Sequence, residues 1–174
     1  MIHYLLVQGP NVLLLIVSLC LLYTVISGAP YLPTNTKCVD DMVAAAHVTS
    51  ATKMVDIGSG DGRIVIAFAK AGAEAHGYEI NPLLVWYSQW KIRRAGLEKR
   101  AFIHTKSFWQ ANFSSFNVAT VFGITRIMPK LEKKLVAEMP NGSLVLSHVF
   151  TFPTLRLVEK RPQIRIYAID KEKV

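Results

Sequence analysis

The sequence predicts an α/β domain built on a mainly parallel sheet and preceded by a hydrophobic segment. Between residues 53 and 149, short apolar runs of strand length alternate with segments of helical period, which is typical of strand–helix–strand units. The segment DIGSGDG, residues 56–62, follows one such strand and opens a helix, and glycine loops in this position bind nucleotides. The sequence before residue 37 differs sharply in composition from this domain.

The first 36 residues are uncharged, and the 20 basic and 12 acidic side chains of the chain all lie in residues 37–174. From Val12 to Ile26 the head is almost wholly apolar, and with residues 4–7 it approaches the roughly 20 residues that cross a bilayer as a helix. We therefore expect residues 1–29 to form a membrane anchor or targeting segment, with residues 11–27 in contact with lipid. A cleaved signal peptide and a buried core helix are the alternatives.

The remaining elements follow from periodicity and from turn signals. Residues 30–52 are predicted to form a linker and an N-terminal helix, which starts at a Thr34 or Asn35 cap and runs to Val48. Strands are predicted at 53–56, 74–79, 101–105, 118–122 and 143–149. Helices are predicted at 62–71, 82–95 and 129–138, each closed by a glycine or by the PNG turn. Residues 156–160 and 164–169 alternate like an antiparallel pair and are expected to complete the sheet edge.

Asp56, the glycine loop and Glu79 are expected to meet where the parallel strands end, which is where such sheets bind ligands. Asp56 ends the first strand and Glu79 ends the second. Gly58 and Gly60 allow a tight turn and close approach of a ligand to the backbone, and Gly62 is expected to allow close helix–strand packing. A carboxylate in the place of Glu79 can accept hydrogen bonds from both hydroxyls of a ribose.

The acids of the loop favour S-adenosylmethionine (SAM) over phosphate-bearing nucleotides. A dinucleotide needs a helix N-terminus that faces its pyrophosphate, and Asp56 and Asp61 put negative charge there. A Walker-type loop needs a G-K-[ST] sequence, which the chain lacks. SAM carries a ribose and a cationic sulfonium but no phosphate, so Glu79 suits its ribose and the two aspartates suit its cationic part. A structural carboxylate at a helix N-terminus is the alternative for Asp61, and Arg63 is expected to be a solvated helix residue.

Three segments resemble the small membrane-anchored mitochondrial protein-lysine methyltransferases: VDIGSGDGRIVIA, GYEINPLLVWYSQWKIRRAG and VFGITRIMPKLEKKL. One branch of this family methylates a lysine of the ATP synthase c-subunit, and a sister branch methylates the ADP/ATP carrier. The stretches VWYS, residues 85–88, and FGI…LEKKL, residues 122–135, resemble the c-subunit branch more than its sister. The resemblance implies a Rossmann-like class I SAM-dependent methyltransferase of the seven-strand type over residues 53–174. It also implies a lysine of a mitochondrial inner-membrane protein as acceptor and a single-pass anchor in that membrane.

The residues expected to bind the cofactor are Asp56, Gly58, Gly60, Asp61, Gly62, Glu79, Asn81, Ser107 and Trp109. The adenine end departs from the family, since relatives tend to carry an acid two positions before the tryptophan of this loop, where TKSFWQ has Ser107. A serine accepts one weaker hydrogen bond from the adenine amino group. Otherwise His104 or a backbone carbonyl takes that place.

A lysine acceptor must lose its proton before it can attack the methyl group, at a cost of about 4–5 kcal/mol at pH 7. No residue stands out as the base, so no catalytic residue is assigned, and a dry aromatic pocket that positions the amine is expected instead. The candidate walls of this pocket are Trp86, Tyr87, Trp90, Trp109, Phe113 and Phe122. Packing in the hydrophobic core is the alternative for each of them. The loop after the fourth strand reads FGIT, whereas enzymes that methylate base or amide nitrogens carry [ND]-P-P-[YF] there, so those planar nitrogens are disfavoured and an sp3 amine is compatible.

The net charge and the cysteine and histidine content restrict the function less than the sequence motifs do. The two cysteines form no C-x-x-C pair and the five histidines are scattered, so neither a metal site nor a disulfide is expected. The net charge of +8 is expected on solvated faces or against anionic lipid, with nucleic acid unlikely. An RNA or small-molecule methyltransferase and a non-catalytic SAM-fold membrane scaffold are the alternative functions. The basic clusters are Lys91, Arg93, Arg94, Lys99 and Arg100; Lys130, Lys133 and Lys134; and Arg156, Lys160, Arg161 and Arg165.

Overall fold

The computed structural model describes residues 10–12, 14, 15, 18, 34–123 and 125–172. The chain divides into two compact units, Met1–Leu32 and Pro33–Val174. The predicted lipid-contacting segment at 11–27 falls largely outside the described residues. Among the residues that are described, no helix is both long and apolar enough to span a bilayer.

The second unit follows the predicted order of elements closely. Its helices and strands are α1 Thr36–Ala45, β1 Lys53–Ile57, α2 Arg63–Lys70, β2 Glu74–Glu79, α3 Pro82–Arg94, β3 Ala101–Thr105, β4 Val118–Val121, α4 Met128–Glu138, β5 Leu144–His148, β6 Arg156–Lys160 and β7 Ile164–Ala168. A short 3-10 helix, Phe108–Gln110, follows β3 and was not predicted. Helix α1 begins at the predicted Asn35 cap but ends before Val48, because His47 has a left-handed φ of 45° that a helix does not tolerate.

The strands form one seven-stranded sheet in the order β3-β2-β1-β4-β5-β7-β6. The first five strands of that order are parallel, whereas β7 runs antiparallel to β5 and β6 antiparallel to β7. The mainly parallel sheet with an antiparallel edge is therefore confirmed. The chain fills the sheet outward from β1 in one direction and then, from β4 onward, in the other, so the topological switch point lies between β1 and β4.

Two hydrophobic clusters cover the two faces of the sheet and make a three-layer domain. On one face, α1, α2 and α3 pack over a cluster that includes Met42, Phe68 and Leu146. On the other face, α4 and the segment after β3 pack over a cluster that includes Phe113 and Leu135. Because helices cover both faces, the sheet itself is left open to a ligand at its strand ends.

The glycine loop between β1 and α2 docks tightly on its neighbours at Gly62. This residue has a φ of +73°, and a Cβ added to it would lie 2.8 Å from the Cβ of Ser88 in α3. The next contact would be Ile103 Cδ1 of β3, at 3.6 Å. The close approach predicted for Gly62 is therefore present, with a helix rather than a strand as its tightest neighbour.

Candidate cofactor site at the carboxyl edge of the sheet

The strand register brings the ends of four parallel strands to one level. Ile57 of β1 pairs with Tyr78 of β2 and with Val121 of β4, and Val121 in turn pairs with Ser147 of β5. The residues one step further along therefore form a single row across the edge: Glu79, Gly58, Phe122 and His148. Since neighbouring strands lie about 4.8 Å apart, this row extends roughly 15 Å from Glu79 to His148.

The carboxylate of Glu79 holds the glycine loop against the end of β2. Its Oε2 accepts a hydrogen bond from Gly60 N at 3.0 Å, and its Oε1 accepts from Ile80 N and Asn81 N, both at 2.8 Å. A carboxylate offers about four acceptor positions, so Oε2 retains one for a ligand. The loop is fixed further because Gly58 N and Ser59 N donate to the carbonyl of Tyr78 at 3.1 and 3.0 Å.

Asp56 lies beneath the loop with an unusual proton affinity. Its carboxyl is buried and accepts a hydrogen bond from Thr120 Oγ1 at 2.7 Å. Burial raises the pKa of Asp56 to about 7, the negative charges of Glu79 and Asp61 add to the rise, and the Thr120 hydrogen bond opposes it. The sequence did not identify Thr120, because a threonine within the run VATVF indicates only a β-strand until the register places it opposite Asp56.

Asp61 is paired within the protein. Its carboxylate accepts hydrogen bonds from Arg63 Nε at 2.9 Å and Nη2 at 3.0 Å, and from Lys91 Nζ at 2.9 Å. Burial alone would raise the pKa of Asp61, but these two cations hold it below its ordinary value. Arg63 also donates to the carbonyl of Thr34 at 2.7 Å, so its side chain, predicted to be solvated, is 34% exposed but also fixed by contacts within the protein. These contacts favour the structural interpretation of Asp61, and its contact with a cofactor stays a prediction.

The other predicted residues lie at the edge or on the elements that flank it. Asn81 is buried and caps α3, since its Oδ1 accepts from Leu83 N at 2.9 Å. Ser107 and Trp109 are half-buried in the turn that contains the 3-10 helix, and Lys130 Nζ lies 4.7 Å from the centre of the indole ring. His104, the suggested substitute at the adenine end, shares a 2.9 Å hydrogen bond between its Nε2 and His76 Nδ1.

Apart from the half-buried Trp109, the aromatic residues predicted as pocket walls separate into three groups. Trp86, Tyr87 and Trp90 are exposed on the outer side of α3, so their assignment to a pocket was wrong. Phe113 is fully buried in the core, as the alternative interpretation held. Phe122 is half-buried in the row at the strand ends.

His148 and Val149 form an unusual corner at the end of β5. The imidazole of His148 is 8% exposed and meets Phe122 edge-on, with ring centres 4.4 Å apart. Its Nδ1 has no hydrogen-bond partner among the described residues, and burial lowers its pKa. Val149 has a φ of 67°, a rare conformation for a β-branched residue, and is held by a 2.9 Å hydrogen bond from its N–H to Gln163 O. Sequence reasoning missed this corner, because a lone histidine at a strand end resembles a core residue.

A doubly wound sheet of this order, with a glycine loop at the switch point and an acid ending the second strand, defines a Rossmann-like class I methyltransferase domain. No group of three or more His, Cys, Asp or Glu side chains suited to a metal occurs in the described part of the chain. The chain belongs to the family of the ANTKMT methyltransferase domain, whose profile matches residues 56–159.

Named relatives agree with this family. The chain is 43% identical over 124 residues to the ATP synthase c-subunit lysine N-methyltransferase of Mus musculus, covering 71% of this chain and 50% of the relative. It is 36% identical over 126 residues to the adenine nucleotide translocase lysine N-methyltransferase of the same organism, covering 72% and 55%. A protein-lysine N-methyltransferase of Saccharolobus islandicus (strain REY15A) is 36% identical over 123 residues, covering 70% and 76%. The chain thus spans only about half the length of the mammalian relatives.

Solved structures share the fold. An RNA methyltransferase from Salinibacter ruber, in complex with S-adenosyl-L-homocysteine, superposes with a TM-score of 0.74 at 30% identity, covering 80% of this chain and 95% of that one. A putative methyltransferase from Escherichia coli, yhhF, superposes with a TM-score of 0.66 at 13% identity, covering 82% and 90%, which is a likeness of fold alone.

Proposed function

We propose that the chain is a SAM-dependent protein-lysine N-methyltransferase that acts on a mitochondrial inner-membrane protein, with the ATP synthase c-subunit as its first candidate. The observation that carries the proposal is the identity of 41–43% to vertebrate c-subunit methyltransferases, against 36% to the translocase methyltransferase. The inner-membrane location and the single-pass anchor at residues 11–27 are part of the proposal. The apolar composition of that segment supports the anchor, and the names of the relatives support the location.

The residues at the sheet edge fit SAM as the methyl donor. A Cβ added at Gly58 would meet no atom within 4 Å, so space is open above the loop backbone. Glu79 retains an acceptor position for a ribose hydroxyl, and Asp56 supplies a carboxyl that can ionise near neutral pH beside a cationic group. Ser107 and Trp109 are the proposed residues at the adenine end. When bound, SAM supplies an electrophilic methyl group on its sulfonium.

The acceptor amine is proposed to enter beside Phe122 and His148, at the far end of the row from Glu79. Burial lowers the pKa of His148, so its imidazole is neutral at neutral pH, and no described group competes for a proton at its buried Nδ1. We assign His148 the role of receiving the proton that the lysine ammonium must lose. Phe122, with its ring against His148, lowers the polarity around the amine and so favours its neutral form.

Replacing His148 by phenylalanine is expected to lower kcat at pH 7 by about 100-fold or more, which is typical for the loss of a general base. The loss is expected to shrink at pH 9, where solution chemistry deprotonates more of the lysine. His47→Asn is the matched control, because His47 is an exposed turn residue with φ of 45°, a conformation that asparagine tolerates. A His148→Phe variant that folds normally and loses the same factor at every pH would refute the assignment.

The proposed function is tested by incubating the purified full chain with SAM and, in separate reactions, with purified c-subunit or purified ADP/ATP carrier in lipid, followed by intact-mass analysis of each acceptor. One to three added methyl groups on the c-subunit are expected with the wild type, and none with Glu79→Ala. Methylation of the ADP/ATP carrier alone would assign the chain the activity of the sister branch instead. A chain that binds SAM but methylates neither protein would show that the acceptor is wrong.

RNA is a second candidate acceptor, because the Salinibacter ruber structure that superposes at 30% identity is described as an RNA methyltransferase. The FGIT loop weighs against the exocyclic amines of bases, since it lacks the [ND]-P-P-[YF] sequence. Total RNA supplied with tritiated SAM separates the two candidates. Label in RNA and none in the c-subunit would favour RNA.

A further inference from the structure

Helix α3 presents two apolar sides, and only one of them faces the core. Val85, Ser88 and Ile92 are buried against the sheet. Leu83, Trp86, Tyr87 and Trp90 lie on the opposite side at helical spacing and are 48%, 67%, 43% and 43% exposed. A single exposed apolar side chain is ordinary, but an exposed stripe of four along one helix indicates a surface that contacts something apolar.

Basic side chains border this stripe and lie on its rings. Arg94 continues the stripe, with its guanidinium 5.4 Å from the ring centre of Trp90. Lys91 Nζ lies 5.3 Å from the ring centre of Tyr87 while it also pairs with Asp61. The rings of Tyr87 and Trp90 stack at 5.9 Å, which stiffens the stripe. Residues 82–100 contain five basic side chains and one acidic side chain, so the surroundings are strongly cationic.

We propose that this aromatic–basic face of α3, formed by Leu83, Trp86, Tyr87, Trp90, Arg93 and Arg94, docks on the surface of a bilayer that contains anionic lipid. Tryptophan and tyrosine prefer the headgroup level of a membrane, where the indole and phenol are partly in apolar surroundings and partly wet. Lysine and arginine beside them are attracted to anionic headgroups. An interfacial helix of this kind carries its apolar and basic residues on one outer side.

Docking would also orient the candidate site. Asn81 caps α3 at the carboxyl edge of the sheet, and Trp86 lies five residues later, about 7 Å along the helix axis. The edge that carries Glu79 would then lie close to the headgroups, where a membrane-embedded acceptor exposes its polar segments. The docking does not depend on methyl transfer, so it is testable even if the acceptor is wrong.

The experiment uses the full chain in vesicles whose lipids carry bromine on the acyl chains, which quenches tryptophans that reach the bilayer. The chain has three tryptophans, so two variants separate the signals. Trp109→Phe reports on Trp86 and Trp90, and Trp86→Phe with Trp90→Phe reports on the half-buried Trp109. One vesicle set is phosphatidylcholine alone, and the other also contains phosphatidylglycerol.

In the anionic vesicles, we expect strong quenching of Trp86 and Trp90, weak quenching of Trp109, and loss of the difference at high salt. Each basic residue near an anionic surface is worth roughly fivefold in partitioning, so Arg93→Glu with Arg94→Glu is expected to lower the docked-to-undocked ratio by at least 20-fold. Lys70→Glu with Lys133→Glu, at exposed positions on α2 and α4, is the matched control.

Equal quenching of the two reporters in every vesicle would overturn the proposal. Two other occupants of the face would also overturn it. If the occupant is a second copy of the chain, the protein forms a dimer in detergent, and the double variant Trp86→Gln with Trp90→Gln is monomeric. If the occupant is RNA, it quenches the two tryptophans in the absence of lipid.

Discussion

Replacing Asp56 by asparagine is expected to stabilise the protein at pH 8 by about 2–3 kcal/mol while it weakens SAM binding by about 100-fold. The stabilisation follows from the buried carboxyl, whose pKa rises from its ordinary 3.8 to about 7. The pKa of Asp56 is higher in the folded protein than in the unfolded chain. The protonated carboxyl therefore adds its full contribution to folding stability below pH 3.8, and this contribution is lost as the pH rises to about 7. The difference corresponds to roughly 4 kcal/mol, and about 1 kcal/mol of it is offset because asparagine bonds Thr120 more weakly than a carboxylate does.

Thermal unfolding at a series of pH values measures the first effect. Wild type and Asp56→Asn should unfold at nearly the same temperature near pH 4 and diverge as the pH rises to 8. Asp40→Asn, at an exposed position on α1, should stay within about 0.5 kcal/mol of wild type throughout. Calorimetric titration with SAM measures the second effect. A variant that is less stable than wild type at pH 8 would show that Asp56 is not a costly buried charge.

Glu79→Ala is expected to weaken SAM binding by at least about 100-fold and to lower the free energy of unfolding by about 2–3 kcal/mol. The first effect follows from loss of the acceptor proposed for the ribose. The second follows because Gly60 N, Ile80 N and Asn81 N all lose their partner. Calorimetric titration with S-adenosylhomocysteine gives the affinity without turnover, and denaturant unfolding gives the stability.

Glu98→Ala serves as the control for Glu79→Ala, since Glu98 is exposed between α3 and β3. Glu79→Gln separates the two effects, because an amide oxygen can still accept from Ile80 N and Asn81 N while its nitrogen cannot accept from Gly60 N or from a ribose hydroxyl. We expect Glu79→Gln to recover part of the stability and little of the affinity. Tight cofactor binding by a folded Glu79→Ala protein would contradict the site.

The fold could be predicted from the sequence because each of its signals is local. Alternation of strand and helix periods located the elements, and Gly72 and Gly96 ended two helices where the backbone turns left-handed. The placement of Asp56 and Glu79 at the carboxyl edge of the sheet followed from a topological rule. Open α/β sheets bind ligands where their parallel strands end, and this rule needs no distances. The resemblance of the three motif segments to a known family added the activity that these residues alone left open.

The predictions that failed depend on side-chain contacts between segments that are distant in the sequence. Arg63 was expected in solvent, but it reaches Asp61 and Thr34. Thr120 is identified as a site residue only when the register places it opposite Asp56. His148 is identified only when Phe122 packs against it. The tryptophans of α3 were expected in a pocket because a lysine acceptor favours dry, aromatic surroundings. Their exposure could not be known before the inner side of the helix had been identified.

The buried carboxyl of Asp56 also bears on how long the protein survives in a cell. At neutral pH the ligand-free domain carries the cost of that charge, and a bound cation would remove the cost and add its own binding free energy. Ligand-free molecules would then unfold more often and be degraded first. With SAM as the proposed cation, the steady-state amount of this protein is therefore expected to follow the supply of methyl donor, so that starvation for the donor lowers the amount of the protein as well.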